Sequence, residues 1–430
     1  MTFRFLYFLT LSLIIFVNHT VGQINAPTSF PDRIILNPGS EAEKSVAVTW
    51  RTDTSVSQSF CELHPLTGSR INPENVKSFK AKTTAVKYEY ENEPAIEANQ
   101  HAVVLDNLVP GKKYLYRLGS NKSWSEWFEI HIPSKESDRF SFVYFGDPQA
   151  DLKSQWSRVI RKAYNKVPDC AFMLYGGDII NRAGRDLEWN EWFLSGSYIF
   201  GTVPQILTPG NHDYDDLQLD PHWKYQFTQP LNGPKEVKGS CFFIDYKNLK
   251  IISIDSAVES ELEDENGSAF KSQKAWLDSI LSVNTKDWVI ITTHLPFYST
   301  KDSRDNPQMR KHFQPILEKY NVDLVLTGHD HSYGRGMVSD NPEIKPNVMY
   351  VVSVSGPKLY DAGTKDWMQI KGGNLQLFQE IAIEGNTLKF KAFTADGELF
   401  DQFMLKKNNS GKKKFIEMNK NAVKKIRTVK

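Results

Sequence analysis

The sequence predicts a small all-β sandwich followed by a larger α/β domain of layered sheets and helices. Three observations carry that expectation. Up to about residue 133 the chain reads as short β runs separated by turns. Beyond a polar linker, apolar strands alternate with helical stretches. Five apolar runs of this second part each end in a cluster of carboxylate, amide or imidazole side chains, four of them with glycine. The 430 residues suit two or three domains. Residues are 40% apolar and 12% aromatic with a formal net charge of +1, a folded composition with no global signal for nucleic acid.

Taken in order, residues 1–22 read as a signal peptide. Arg4 supplies the positive start, residues 5–17 form an apolar stretch too short to span a bilayer, and Thr20-Val21-Gly22 precedes a cleavage before Gln23. The competing reading is a retained membrane anchor. No later run approaches the ~18–20 apolar residues of a membrane helix, and no cysteine at the cleavage point suggests a lipoprotein. The expectation is an exported protein, periplasmic or secreted, with no integral membrane segment after cleavage. Cys61, Cys170 and Cys241 are too few for a disulfide scaffold. They sit in apolar stretches and are expected as buried thiols, with a Cys170–Cys241 bridge as the alternative. Glycosylation sequons occur at Asn121 and Asn266.

The first domain is placed at 23–135. Residues 45–50 alternate with the period of a strand and end on Trp50, a large core candidate; residues 101–105 give another run. Leu108-Val109-Pro110-Gly111 is a turn leading into the aromatic strand around Tyr114 and Tyr116. Some seven strands in about a hundred residues suggest a sandwich. The Leu-x-Pro-Gly-x-x-Tyr-x-Tyr-Arg stretch, with Trp50 upstream, resembles a fibronectin type III domain. That resemblance implies a spacer or a wall of an active-site cleft and carries no chemistry.

The second domain is placed at 138–405. Residues 153–167, 273–281 and 309–320 space their apolar side chains as helices do, and 349–354, 377–383, 387–393 and 399–405 read as consecutive strands. Strands alternating with helices imply covered sheets. The tail, 406–430, holds ten Lys or Arg against the single acid Glu417. It is expected as a solvated end, or else as an attachment to an acidic surface.

The five clusters are Gly146-Asp147-Pro148-Gln149, Gly176-Gly177-Asp178, Gly210-Asn211-His212-Asp213, His294-Leu295-Pro296 and Gly328-His329-Asp330-His331. Each follows an apolar run, where a strand should end, and ligands of open α/β sheets bind just outside the carboxyl ends of strands. Carboxylate, amide oxygen and imidazole suit Mn, Zn, Fe or Mg and not thiolate-loving metals. Asp178, with two oxygens, can bridge a metal pair, and His329 and His331 can serve adjacent ions. Singly, each residue has an ordinary reading: an aspartate caps a turn, a histidine satisfies itself in a core. Five ordered clusters, about 31, 33, 83 and 35 residues apart from Asp147 through Asp178, Asn211, His294 and His329, do not.

This order and spacing resemble the calcineurin-like metallophosphoesterases and, with the fibronectin-like domain in front, their purple acid phosphatase branch. The resemblance implies a four-layer sandwich of two mixed sheets flanked by helices. It implies two divalent ions: Asp147, Asp178 and His331 on the first, and Asn211, His294 and His329 on the second, with Asp178 bridging. His212 falls at the family's substrate-contacting histidine. Two departures stand out. The purple enzymes carry a tyrosine three residues after the bridging aspartate, here Asn181. Other members carry a histidine two residues after the first aspartate, here Gln149. An oxygen of Gln149 or Asn181, or water, is the expected substitute, giving a colourless and weaker first site that is not ferric.

The expected chemistry is hydrolysis of phosphate monoesters by in-line attack of a metal-bridging hydroxide, with acid phosphatase activity. His212 is the general acid, and Asp213 keeps it protonated by proximity. A phosphodiesterase on the same metals is the alternative, and a non-catalytic surface binding protein is the reading from a different class. Residues 215–223 and 298–310 are expected to shape the pocket, with His222, Trp223, Tyr298 and Arg304 able to hold a phosphate or stack a base. Asp215, Asp216 and Asp220 near the mouth weakly disfavour polyphosphates.

Overall fold

The computed structural model describes residues 25–39, 41–89, 94–215, 217–258 and 268–419. The expected signal segment, Asp216, the Asn266 sequon and the end of the basic tail lie outside them.

The first unit is a sandwich of two antiparallel sheets. One has the order Asp32–Pro38, Val46–Thr52, Ile96–Leu105, Lys82–Tyr88; the other is built on Phe60–Pro65 and Lys113–Ser120. Alternating side chains bring Trp50, Cys61, Tyr116 and Leu118 together between them, all fully buried. The Trp50 indole donates to Ser59 Oγ at 3.1 Å, so its one polar atom is satisfied inside the core.

The second unit holds two mixed seven-stranded sheets. In the first, Gln205–Thr208, Met173–Gly176 and Phe140–Phe145 run parallel, and Leu377–Glu384, Thr387–Thr394, Leu399–Lys407 and Lys413–Glu417 continue the order antiparallel. In the second, Leu249–Ile254, Trp288–Thr293, Leu324–Thr327 and Met349–Val352 run parallel, with Phe242–Tyr246 at one edge and Tyr333–Met337 then Ile370–Gly372 at the other. The sheets face each other across Phe142, Tyr144, Leu174, Ile251, Ile290, Leu326, Phe390 and Phe403. Helices Ser157–Lys166 and Asp186–Thr202 cover one outer face. Ser268–Ser282 and Pro307–Lys319 cover the other, completing four layers.

The helix Asp186–Thr202 has no counterpart among the expected elements. It buries Trp189 and Trp192 fully and Phe193, Ile199 and Phe200 nearly so, between its own sheet and the sandwich. A helix apolar on two sides shows no 3.6-residue stripe, and a non-helical Ser197 (φ 32°) interrupts it further. Tyr116 of the sandwich donates to Gly201 O at 2.6 Å across this contact.

Two expectations need correction. The basic stretch after residue 405 is not simply a solvated end, since Lys413–Glu417 is an edge strand in register with Leu399–Lys407. Phe415 packs on Phe403, Glu417 pairs with Arg335, and Lys413 points inward to Asp323 at 3.2 Å. Burial pushes that lysine down to about 8. The Cys170–Cys241 alternative is excluded: all three cysteines are free and buried. Among the described residues no helix is long and apolar enough to cross a membrane.

Candidate metal centre

The five clusters meet at the carboxyl ends of strands from both sheets. Asp147 follows Phe140–Phe145, Asp178 follows Met173–Gly176 and Asn211 follows Gln205–Thr208; His294 follows Trp288–Thr293 and His329 and His331 follow Leu324–Thr327. Asp147, Asp178, His329 and His331 all have positive φ, between 38° and 70°. Non-glycine residues rarely hold that conformation, and such strain concentrates at functional sites. The approach is close: a Cβ on Gly328 would come within 2.3 Å of Asp147 Oδ2, so only glycine lets the histidine loop seat there. Both Asp147 oxygens accept from the His329 amide at 2.9 Å.

His294 Nε2 lies 3.0 Å from Asn211 Oδ1, 3.2 Å from His329 Nδ1 and 3.3 Å from Asp178 Oδ2. Its other nitrogen donates to Gly176 O at 2.9 Å, as His331 Nδ1 does to Lys358 O. A backbone carbonyl on one imidazole nitrogen frees the other as a ligand, the usual outer support of metal-bound histidine. His331 Nε2 in turn lies 3.9 Å from Asp147 Oδ1. Ligand atoms of Asp147, Asp178 and His294 fall within 4.8 Å of one another.

Acceptor atoms converging in this way need a positive centre. Burial opposes the charged form of His294, but Asp178, hydrogen-bonded to it, and Asp147 hold it up at about 9. Burial raises Asp147 well above the carboxylate range, His294 and Asp178 acting on it with opposite signs. Burial likewise lowers His331 to about 4 and, with His294 beside it, His329 to about 2, leaving both as neutral donors. Among the described residues no lysine or arginine pairs with Asp147 or Asp178. A set of oxygen and imidazole donors with no lysine or arginine, whose only positive charge is the one it draws onto His294, fits a pair of divalent metal ions.

The remaining expected residues divide. His212 stands at the rim, half-buried, its Nδ1 donating to Asn181 O at 2.7 Å. Burial lowers its pKa, and Lys358 adds to the effect against Asp178. Asp213 does not reach it. Fully buried, Asp213 accepts from the Gly210 and Ile179 amides at 2.8 and 3.1 Å, a brace under the Asn211 loop. Asn181 is engaged through its backbone. Gln149 turns its amide nitrogen to Asp178 Oδ2 (2.6 Å) and His331 Nε2 (3.3 Å), and its oxygen to Lys358 Nζ at 3.2 Å. The lysine fixes that orientation, since the flipped amide would set two donors against each other. In this orientation Gln149 turns its nitrogen, and not its oxygen, toward Asp178 and His331.

His222 is not at the centre. It is fully buried between the Tyr88 and Trp189 rings, with its nitrogens on Asp220 (2.6 Å) and Asp186 (3.2 Å). Trp223 is likewise buried, against Phe227. Asp220 spends its oxygens on His222 and the Gly184 amide, so it does not face the mouth as an open charge, whereas Asp215 is exposed. Tyr298 bonds Gln314 and Asp340 in the core beneath Pro307–Lys319. Arg304 braces the histidine loop through His329 O at 2.9 Å and Asp330 at 3.2 Å. Sequence reasoning missed Lys358. It follows the strand Met349–Val352 in Ser355-Gly356-Pro357-Lys358, a sixth polar strand end whose cation is no metal ligand.

Fold and centre together define a metal-dependent phosphoric ester hydrolase with a dinuclear site. Residues 140–333 match the calcineurin-like phosphoesterase family and residues 31–132 the purple acid phosphatase N-terminal domain. The human protein named acid phosphatase type 7 is 26% identical over 345 residues, covering 75% of this chain and 74% of that protein. An Arabidopsis thaliana Fe(3+)-Zn(2+) purple acid phosphatase 12 is 27% identical, covering 73% and 67%. The structure of purple acid phosphatase PPD1 from yellow lupin superposes with a TM-score of 0.73 at 18% identity, covering 89% of this chain and 75% of that one, a likeness of fold. The chain belongs to the calcineurin-like phosphoesterases, in the purple acid phosphatase-like branch.

Proposed function

We propose that the protein is an exported phosphatase that hydrolyses small phosphate monoesters. The observation that carries this reading is the set of ligand atoms around His294 Nε2, buried, braced by backbone carbonyls and, among the described residues, unpaired with any lysine or arginine. Asp147, Asp178 and His331 would hold one ion and Asp178, Asn211, His294 and His329 the other. The metals would be Mn, Zn, Fe or Mg. Asn181 stands where the purple enzymes carry their tyrosine, and Tyr175 spends its hydroxyl on Gln205 at 2.8 Å, so the loaded protein should be colourless. When bound, the ions supply an activated water and offset charge on the phosphoryl oxygens. A water–phosphorus bond forms, the ester P–O bond breaks, and the leaving alkoxide takes a proton.

His212 would give that proton once it is protonated at Nε2, the nitrogen that faces Lys358. Its Nδ1 is fixed on Asn181 O, which aims Nε2 toward the side of the site held by Gln149 and Lys358. His212→Ala should retain metal content and lose about 10²–10⁴-fold in rate, mainly on esters with poor leaving groups. Equal losses on good and poor leaving groups would remove His212 from this role. Export rests on the apolar N-terminal segment.

The first experiment strips the purified protein of metal, reloads it with Mn and compares p-nitrophenyl phosphate with its bis ester. A faster monoester supports the proposal. A faster diester makes the protein a phosphodiesterase on the same centre. Absence of bound metal, or activity unmoved by Asp178→Asn, would leave a binding protein.

A further inference from the structure

We propose that Lys358 binds the substrate's phosphoryl group and makes the centre prefer a dianionic monoester over a monoanionic diester. The inference rests on the phosphoesterase reading and adds to it a specificity residue outside the expected ligand set.

Its position is built into the backbone. The Ser355 and Gly356 amides donate to Gly146 O and Asp147 O at 2.6 and 2.8 Å, stitching this strand end to the first aspartate loop. A Cβ on Gly356 would lie 2.5–2.7 Å from the carbonyls of Gln149, Asp147 and Pro148, so the seam closes only with glycine. The Lys358 carbonyl accepts from His331 Nδ1. The lysine is thus tied at once to the loops that carry Asp147 and His331.

Its ammonium is aimed inward and left without a counter-charge. Nζ lies 3.2 Å from Gln149 Oε1 and 3.3 Å from His212 Nε2, both neutral acceptors. Among the described residues no carboxylate lies within ion-pair distance of it. The two nearby arginines are by contrast paired, Arg304 with Asp330 and Arg310 with Asp305 and Asp340. An ammonium has three donors, and here two rest on weak neutral partners in a half-buried position. A phosphoryl oxygen would supply the missing charge and replace either contact with a charge-assisted bond.

The preference follows from charge and from room. A monoester carries between one and two negative charges near neutrality, its second pKa being about 6, while a diester carries one. A diester must also place its second ester group where a monoester offers a bare oxygen, and beside Lys358 that exchanges an ion pair for a desolvated ammonium.

The test compares Lys358→Met and Lys358→Arg with the wild type, all Mn-loaded and checked for metal content. Calorimetry of inorganic phosphate binding is read alongside kcat and KM for p-nitrophenyl phosphate and its bis ester. The methionine variant should bind phosphate about 10–100-fold more weakly, as expected for one charge-assisted bond. It should raise KM for the monoester and leave the diester nearly unchanged, and arginine should restore much of the binding. Phosphate binding equal to wild type, or equal losses on the two esters, overturns the proposal and leaves Lys358 as a mere brace for Gln149. A wild type that binds phosphate through Lys358 but cleaves neither ester would overturn the hydrolase reading and not this one.

Discussion

Two buried clusters of histidine and carboxylate among the described residues have opposite fates. At the metal centre, Asp147, Asp178 and His294 face one another with no arginine or lysine among them. At the joint between the units, Asp186 and His222 are equally buried, but Arg33 of the sandwich pairs with Asp186 at 2.7 Å and Arg51 lies 3.9 Å away. Arg51 is itself held by Asp32 at 2.7 Å. The same residue types thus make a ligand set in one place and a closed ion network in the other. What separates them is whether an arginine closes the cluster.

Three measurements press on that difference. The largest effect should come from Asp178→Asn, which removes a shared ligand and several kcal/mol of transition-state stabilisation, about 10³-fold or more in rate. The metal-free variant should melt only modestly lower than wild type, since the pair with His294 is lost while the amide oxygen can still accept from the His212 backbone N–H; a large fall in Tm would make Asp178 a structural residue. Arg33→Met should do the reverse. Leaving Asp186 beside His222 without its main cation should cost about 3–5 kcal/mol by denaturant unfolding. Activity per folded molecule should be kept, and its loss at temperatures where the variant is folded would show that the joint steers the centre.

The third effect is smaller and appears in acid. Burial resists ionisation of Asp186, but the His222 hydrogen bond and Arg33 hold it down at about 2. Its folded pKa lies below the unfolded value of about 3.9, so its stabilisation is complete above pH 4 and is lost as pH falls toward 2. That amounts to about 2–3 kcal/mol. The stability gap between wild type and Asp186→Asn should therefore narrow over that interval, and a constant gap would rule out the linkage.

Legibility followed the range of the interactions. The metal ligands were readable because each is announced within a few residues by an apolar run and a ligand side chain, with a glycine close by for all but His294, and strand ends of layered α/β sheets converge. His222 was misplaced because its meaning depends on Arg33 and Tyr88, more than a hundred residues away. Asp213 looked like a partner for its neighbour His212, but the turn aims it at the Ile179 amide. Lys358 carried no ligand signature at all. The Asp186–Thr202 helix was hidden by being apolar on both sides.

By itself the sequence determined the order of the two units, the strand-end clusters and the ligand chemistry, because these depend on local periodicity and residue type. Only the tertiary structure decided which histidine–carboxylate cluster was left open and which was closed by arginine, where Lys358 points, and that a lysine-rich end becomes an edge strand. Those outcomes turn on which distant charges share a buried space, and a buried charge is set by its partners in three dimensions and not by its neighbours along the chain.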